Sequence, residues 1–338
     1  MTRPDKPSPL LVVDRLEKSF SARSSNPFRP SRDKLRAVDG ISFTVGRGET
    51  FGLVGESGCG KSTAARAILR LIEPTGGGVT FDGIDLLALA PEPMRRLRRR
   101  VQMVFQDSTG TLDPRMSVRD LVEDPLIVHG LGDAKARRAK VDAMLELVGI
   151  RPEFASRKPH QFSGGQRQRI GIARALVLEP ELVVLDEPIS ALDVSVQAQI
   201  LNLLKDLQDR LGLSYVFIVH DLTVAEFFCD RLAVLYLGQV MESGSATELF
   251  SDPQHPYTVS LLSAVPRVGA RGKAKRIILE GEVSPLGSGA STGCVFRARC
   301  PVGRDRSICA TDRPTLAQHE TVDHTVACHF PGELHAAS

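Results

Sequence analysis

The 338-residue sequence has no tryptophan, and aromatic residues make up only 5% of it. Proteins that grip single-stranded nucleic acid interleave stacking aromatics with basic residues, and no stretch here does so. An excess of one charge is also missing. The 43 Lys+Arg and 40 Asp+Glu leave a net charge of +3, too little to argue for a nucleic-acid partner. Long apolar runs are absent: Leu182–Leu185 and Tyr215–Val219 fall far short of the ~18 residues of a membrane-crossing helix. The polar start, Met1–Pro9, is followed by no apolar segment of signal-peptide length, so the expected compartment is the cytoplasm. What remains is an ordinary folded composition, 42% hydrophobic and 25% charged, which excludes a mostly disordered chain. The length suits two domains, or one large domain with an appendage.

Strand and helix signals alternate. Residues 10–20, Ile41–Val45, Thr50–Val54, Val101–Phe105, Leu182–Asp186 and Ser214–Val219 read as strands. Helical patterns begin at Lys61, fill 117–170 and return over 194–211. Val141, Met144, Leu145 and Val148 mark one buried helical face. This alternation predicts an α/β fold with a parallel sheet. Residues 21–36 read as a basic, proline-containing loop or insertion. From about 251 the texture changes to Pro, Gly, Cys and His, a separate and irregular C-terminal region.

Gly55-Glu-Ser57-Gly58-Cys59-Gly60-Lys61-Ser62 fits G-x-x-x-x-G-K-[ST], between an apolar strand and a helix. The glycines let successive N–H groups turn toward phosphate oxygens, and the helix adds the positive end of its dipole. Lys61 reaches the β- and γ-phosphates, and the Ser62 hydroxyl suits Mg²⁺; Thr63 completes the nucleotide-binding run. Cys59 reads as a passive small residue. Downstream, the apolar Leu182–Leu185 ends in Asp186-Glu187. Asp186 suits a Mg²⁺ shell, and Glu187 is placed to polarise water as general base. Gln106 and His220 also end strands. In open α/β sheets ligands lie beyond the carboxyl ends of the strands, so Gln106, Asp186 and His220 are expected to converge with the P-loop. A loop residue and a helix cap are the plainer readings of Gln106 and His220.

Phe162-Ser163-Gly164-Gly165-Gln166 resembles the signature of ABC-type ATPases. The order from P-loop through Gln106, signature, Asp186-Glu187, Ser190–Asp193 and His220 is that family's order, and the likeness covers about residues 8 to 250. It implies a P-loop ATPase fold: a parallel core sheet, an antiparallel β subdomain and a helical signature subdomain over about 107–170. It also implies a head-to-tail dimer, with ATP held between one subunit's P-loop and the other's Ser163, Gly164, Gly165 and Gln166. By the same likeness Phe20 stacks on adenine, Gln106 contacts Mg²⁺ and senses the transporter, Glu187 activates water, His220 holds the γ-phosphate, and Asp193 communicates across the dimer.

A narrower likeness, to oligopeptide/dipeptide importer ATPases, rests on Val54–Thr63, Phe105–Asp107, Leu112–Met116, the Pro253–Pro266 segment with His255-Pro256-Tyr257-Thr258, and the cysteine-bearing residues of 251–338. Ser108, Asp113 and Ile189 depart from that family's usual residues, none at a phosphate contact. The likeness implies an ATP-hydrolysing importer subunit, peripheral at the cytoplasmic face of the cell membrane. Its partners are two transmembrane permeases, a second ATPase subunit (a paralogue favoured over a second copy) and, indirectly, an extracytoplasmic solute-binding protein. No nucleic acid is expected. The cargo and the role of the insertion are left open.

Cys294, Cys300, Cys309 and Cys328 are spaced C-x5-C-x8-C-x18-C. Four thiolates suit Zn²⁺ or an iron–sulfur cluster, or else they are four thiols in a small apolar subdomain. The family likeness favours [4Fe-4S], although the Cys300–Cys309 interval is longer than expected. Arg95–Arg100 and Arg23–Arg36 read as solvated faces. Three other readings stand beside the importer: a soluble ABC ATPase of DNA or chromosome maintenance, a translation factor and a non-hydrolysing regulatory subunit. The first would carry long coiled coils, and only roughly 100 residues without heptads separate P-loop and signature. The second carries two ATPase domains per chain. Intact Lys61, Glu187, signature and His220 argue against the third.

Overall fold

The computed structural model describes residues 8–21, 34–106, 108–190, 192–265, 277–281, 292–319 and 321–336. In chain order the strands are β1 (Leu11–Ser21), β2 (Lys34–Val45), β3 (Thr50–Val54), β4 (Gly76–Phe81), β5 (Ile84–Asp85), β6 (Val101–Val104), β7 (Leu182–Asp186), β8 (Ser214–Val219), β9 (Arg231–Tyr236), β10 (Gln239–Ser245), β11 (Ala317–His319) and β12 (Thr321–Val326). The chain divides into two units, one built from Val45–Thr50 and Ala88–Ile218 with the N-terminal stretch to Leu10, the other from Leu11–Thr44, Phe51–Leu87 and Val219–Ser338.

In the first unit β6, β7 and β8 form a parallel ladder, Val101 opposite Leu182 and Leu182 opposite Ser214. Every residue of β7 and β8 is buried. Strands covered on both faces have no use for polar alternation, which is why they read as continuous apolar runs. Helices supply the rest. Val118–Val128 starts with a capping box, in which Ser117 and Asp120 satisfy each other's backbone N–H. Ala134–Leu147 buries Val141, Met144 and Leu145. Gly164–Leu176 and Val194–Leu211 follow. The expected 117–170 helical stretch is thus two helices, two 3₁₀ turns and the start of a third helix.

In the second unit β2-β1-β4-β5 form one sheet, in which β4 pairs antiparallel with β1 and β5, and β3 pairs parallel to β9. The β9–β10 hairpin extends that ladder, and β12 pairs antiparallel with β10. Phe43 and Phe51 stack with ring centroids 4.6 Å apart and 1° between planes. Two sequence expectations change here. The loop expected over 21–36 is already strand at Lys34, whereas residues 22–33 lie outside the described ones. The stretch after 251, expected to be irregular, adds the hairpin β11–β12 to the edge strand β10. Its strands are short and polar (Ala317-Gln-His319), so period-2 patterning gave no signal.

Three of the five arginines between Arg95 and Arg100 form ion pairs. Arg95 and Arg96 meet Glu92, and Arg100 meets Glu181, which also accepts from Arg47. At these three arginines positive and negative charge alternate on the surface.

Candidate nucleotide site

In the second unit, β3 runs buried to Val54 and the chain then turns through Gly55 (φ 151°), Gly58 (φ 79°) and Gly60 (φ 106°). A Cβ on Gly55 would lie 2.3 Å from the Leu235 carbonyl oxygen, and one on Gly60 2.1 Å from that of Ala37. Neither position accepts a side chain, on backbone angle or on space. The helix Lys61–Ile68 follows with Gly60 as its N-cap, a residue with no side chain to cap the helix's first N–H groups. That arrangement suits an anion. Lys61 is buried, and its ammonium donates to the carbonyls of Gly55 (2.7 Å) and Glu56 (3.0 Å). Ser57 and Gly58 are exposed at the tip, while Ser62 and Thr63 are half-buried. Burial pushes the Cys59 thiol above its ordinary range, so it stays a neutral, passive residue. His220 is exposed directly after β8, and Asp221, not His220, caps the following helix by accepting from the Thr223 N–H. Phe20 is 42% exposed near the end of β1, with the Lys18 ammonium 5.0 Å from its ring centroid. It is not a core residue.

The first unit carries the other residues. Asp186, fully buried, ends β7. Glu187 follows in the left-handed region at φ 47°, its N–H donating to the Ile218 carbonyl at 3.1 Å. Gln106 and Glu187 are brought together: Gln106 Nε2 donates to Glu187 Oε2 at 2.7 Å. Ser163 is exposed and caps the helix Gly164–Leu176, its hydroxyl accepting from the Gln166 N–H while Gln166 Oε1 accepts from the Ser163 N–H. A Cβ on Gly165 would lie 2.5 Å from Val196 Cγ1, so this helix start presses on the start of Val194–Leu211. Asp193 is the exposed N-cap of that second helix. Gln197 donates to the carbonyls of Ile189 and Leu192 and so fixes the approach to it. Ala191 and Asp107 lie outside the described residues.

Comparison with known proteins agrees with this geometry. A profile described as ABC transporter matches residues 38–190, and one described as the C-terminal region of oligopeptide/dipeptide transporters matches 241–309. The oligopeptide transport ATP-binding protein AppF of Bacillus subtilis is 47% identical over 324 residues, 95% of this chain and 97% of that protein. The dipeptide transport ATP-binding protein DppF of Haemophilus influenzae is 47% identical over 322 residues, 95% of this chain and 96% of that protein. The chain belongs to the ATP-binding proteins of oligopeptide/dipeptide ABC transporters. Among solved structures, a dimeric post-hydrolysis state of the ATP-binding cassette MJ0796 bound to ADP and Pi aligns with a TM-score of 0.61 and 31% identity, covering 70% of this chain and 98% of that one. This ABC ATPase therefore binds and hydrolyses ATP.

Mg²⁺ accompanies ATP in such enzymes. Ser62 in the second unit, and Gln106 and Asp186 in the first, each carry a side-chain oxygen, the donor type that a hard cation takes. The four cysteines of the importer-type C-terminal region fit thiolate ligation in part. The Gly303 N–H donates to Cys300 Sγ (3.1 Å) and the Phe330 N–H to Cys328 Sγ (3.3 Å), bonds that stabilise ligating sulfur. Yet among the described residues no three His, Cys, Asp or Glu are arranged to hold a metal. Burial raises Cys294 to about 11 and Cys328 to about 12, so as they stand these are protonated thiols.

The sequence did not flag two polar constellations in the second unit. The Arg299 guanidinium donates two bonds to the Glu56 carboxylate inside the P-loop, Nη1 to Oε2 at 2.8 Å and Nη2 to Oε1 at 3.1 Å. Glu242, fully buried in β10, accepts from the N–H groups of Gln254 (2.7 Å) and His255 (3.0 Å) and meets His324 Nε2 at 2.8 Å. An acidic residue inside a buried strand was the available signal for Glu242. Arg299 had none, because its partner is 243 residues away.

Proposed function

We propose that this ATPase powers import of peptides or related small solutes through two partner permeases, paired with a second ATPase subunit and supplied by a solute-binding protein. Its place is the cytoplasmic face of the membrane. Among the described residues no helix is long and apolar enough to cross one. The single observation that carries the hydrolytic assignment is the 2.7 Å bond from Gln106 to Glu187. It orients a carboxylate at a strand end next to the buried Asp186, where water is to be activated.

Gly55–Thr63 cradle the phosphates, with Lys61 neutralising charge that builds on the γ-phosphoryl group. Ser62, Gln106 and Asp186 hold Mg²⁺, whose contribution is neutralisation of phosphate charge. Phe20 stacks on the base, and His220 holds the γ-phosphate. Glu187 takes the proton of the attacking water. Ser163, Gly164, Gly165 and Gln166 offer a helix N-terminus to the ATP of the opposite subunit, and Asp193 contacts that subunit. Such chemistry is chiefly positioning and charge stabilisation. Next to Gln106 lies a cavity of about 190 Å³ lined by Met103, Phe105, Leu112, Pro125 and Arg174. It suits a short helix of a permease, whose movement Gln106 would sense. Extraction in mild detergent tests the importer reading: two hydrophobic permeases should co-purify, and a chain recovered alone or with nucleic acid rejects it.

For the four cysteines we favour [4Fe-4S] over Zn²⁺, on the thiol count and the N–H donors to sulfur. Its role is structural. Anaerobically purified protein should absorb near ~400 nm and contain iron and sulfide. Colourless, metal-free protein leaves four structural thiols, and zinc without iron selects the alternative.

A further inference from the structure

The P-loop is held from behind by the C-terminal region. Glu56 is the residue after the first glycine of the loop, and both of its ends are engaged. Its N–H donates to the Tyr257 hydroxyl at 3.1 Å, and its carboxylate takes the fork of Arg299. The two side chains are only 10% (Arg299) and 27% (Glu56) exposed. A bidentate, largely desolvated guanidinium–carboxylate pair fixes orientation as well as distance. Glu56 and, after it, the Tyr236 hydroxyl hold the Arg299 guanidinium above its ordinary range.

Arg299 is itself placed with little freedom. It closes a 3₁₀ turn, Arg297–Arg299, whose first anchor is Phe296, fully buried. Phe296 packs against Tyr236 (5.2 Å), Tyr257 (5.3 Å) and His255 (5.6 Å). Its second anchor is the next residue, Cys300, whose sulfur accepts the Gly303 N–H. A Cβ on Gly303 would lie 2.8 Å from Cys309 Sγ and 3.5 Å from Cys300 Sγ, so the turn closes directly on the thiols. The same region reaches the P-loop's other flank, where Arg313 donates to Asp39 and Gln239. Asp39 stands two residues after Ala37, against whose carbonyl Gly60 packs, and the Gly238 N–H donates to the Cys59 carbonyl.

We infer that Arg299 is a positioning residue for nucleotide binding: through Glu56 it holds the P-loop open to phosphate and makes nucleotide affinity depend on the fold of the four-cysteine region. Arg299 touches no substrate. It acts on the curvature of the loop, which a released Glu56 carboxylate would alter while adding an unpaired negative charge beside the phosphate site.

The inference rests on ATP binding by the wild-type chain, so that is measured first. MgATP affinity is read with a fluorescent ATP analogue on the full-length chain, and KM and kcat for ATP on the same preparations. Arg299→Ala and Glu56→Gln should each weaken binding by about three- to tenfold and raise KM more than kcat falls, with the double variant no worse than either single one. Arg299→Lys should recover part of the loss. Arg306→Ala breaks the neighbouring Arg306–Glu333 pair and should leave affinity unchanged. If Arg299→Ala and Glu56→Gln both bind MgATP within twofold of wild type, or their losses multiply in the double variant, the inference is overturned. A wild-type chain that failed to bind ATP would instead overturn the nucleotide site itself. Glu56→Gln changes no residue of the C-terminal region and keeps an oxygen that Arg299 can still meet, and a thermal melt of each variant separates a loss of affinity from a loss of fold.

Discussion

Glu187 occupies a backbone angle that few non-glycine residues take, φ 47°, at a cost of about 1 kcal/mol. Backbone bonds hold it there: its N–H donates to the Ile218 carbonyl, and its own carbonyl accepts from the Ser190 hydroxyl at 3.1 Å and the Ser190 N–H at 3.3 Å. The turn aims the carboxylate at Gln106 instead of burying it along β7 beside Asp186. A Gln side chain keeps the size and still bonds Gln106, but it cannot take a proton from water. Glu187→Gln should therefore bind MgATP with wild-type affinity and turn over at least about 100-fold more slowly. Steady-state phosphate release and an ATP-binding titration on one preparation check both halves. Unreduced turnover would remove Glu187 from the chemistry and leave Gln106 bonded to a bystander.

At the scale of elements, the C-terminal region is locked to β10 by a set of groups whose charges respond to pH. His255 Nδ1 accepts the Tyr257 N–H at 3.0 Å, capping the helix Pro256–Ser263, and its ring also bonds the Ala327 backbone. A proton on Nδ1 would destroy the cap. Burial drives His255 down to about 4, against a smaller opposing pull from Glu242. His324 is held above its ordinary range, first by its bond to Glu242. The two act in opposite windows. The unfolded chain binds more protons at His255 than the folded one between about 6.5 and about 4, so stability from His255 is lost as pH falls across that window. The His324 contribution is full below its unfolded value and is lost as pH rises through its raised folded value. Thermal melts across this range should show Tm falling on both sides. His255→Asn should flatten the acid limb relative to wild type, and His324→Gln the alkaline one. Curves parallel to wild type would mean that neither histidine is linked to folding. These elements also mark what could be read in advance. β3, β7 and β8 were legible because a strand buried on both faces is apolar along most of its length, the polar exceptions Thr50, Asp186 and Ser214 standing at strand ends. The P-loop was legible because Gly55 and Gly60 face backbone carbonyls that admit nothing else. The β11–β12 hairpin and the Glu56–Arg299 clamp were not. Each depends on a distant partner, and no local pattern in Ala317–Val326 or around Arg299 carries information about β10 or the P-loop.

At the scale of the whole molecule, the question is what carries an ATPase to a membrane. Net charge is small, and three arginines of the run, Arg95, Arg96 and Arg100, face Glu92 or Glu181, which lowers the attraction to anionic lipid. The surface offers a more specific handle. Phe105, 38% exposed, lines the cavity directly before Gln106, beside Pro125, a proline inside the helix Val118–Val128. Pro125 has no N–H to give to the helix ladder, and its ring forms part of the wall of this recess. An apolar knob on a permease helix entering that recess would bury Phe105 and press on the residue that holds Glu187. Attachment of this kind is apolar and should survive a high-salt wash, which releases proteins held by surface charge. Phe105→Asp places a charge in the recess and should abolish co-purification with the permeases, while the isolated chain still binds MgATP. Pull-down after a high-salt wash, with ATP binding measured in parallel, checks this. Retention of Phe105→Asp in the complex would move the docking surface elsewhere and free Gln106 from any role in sensing the transporter.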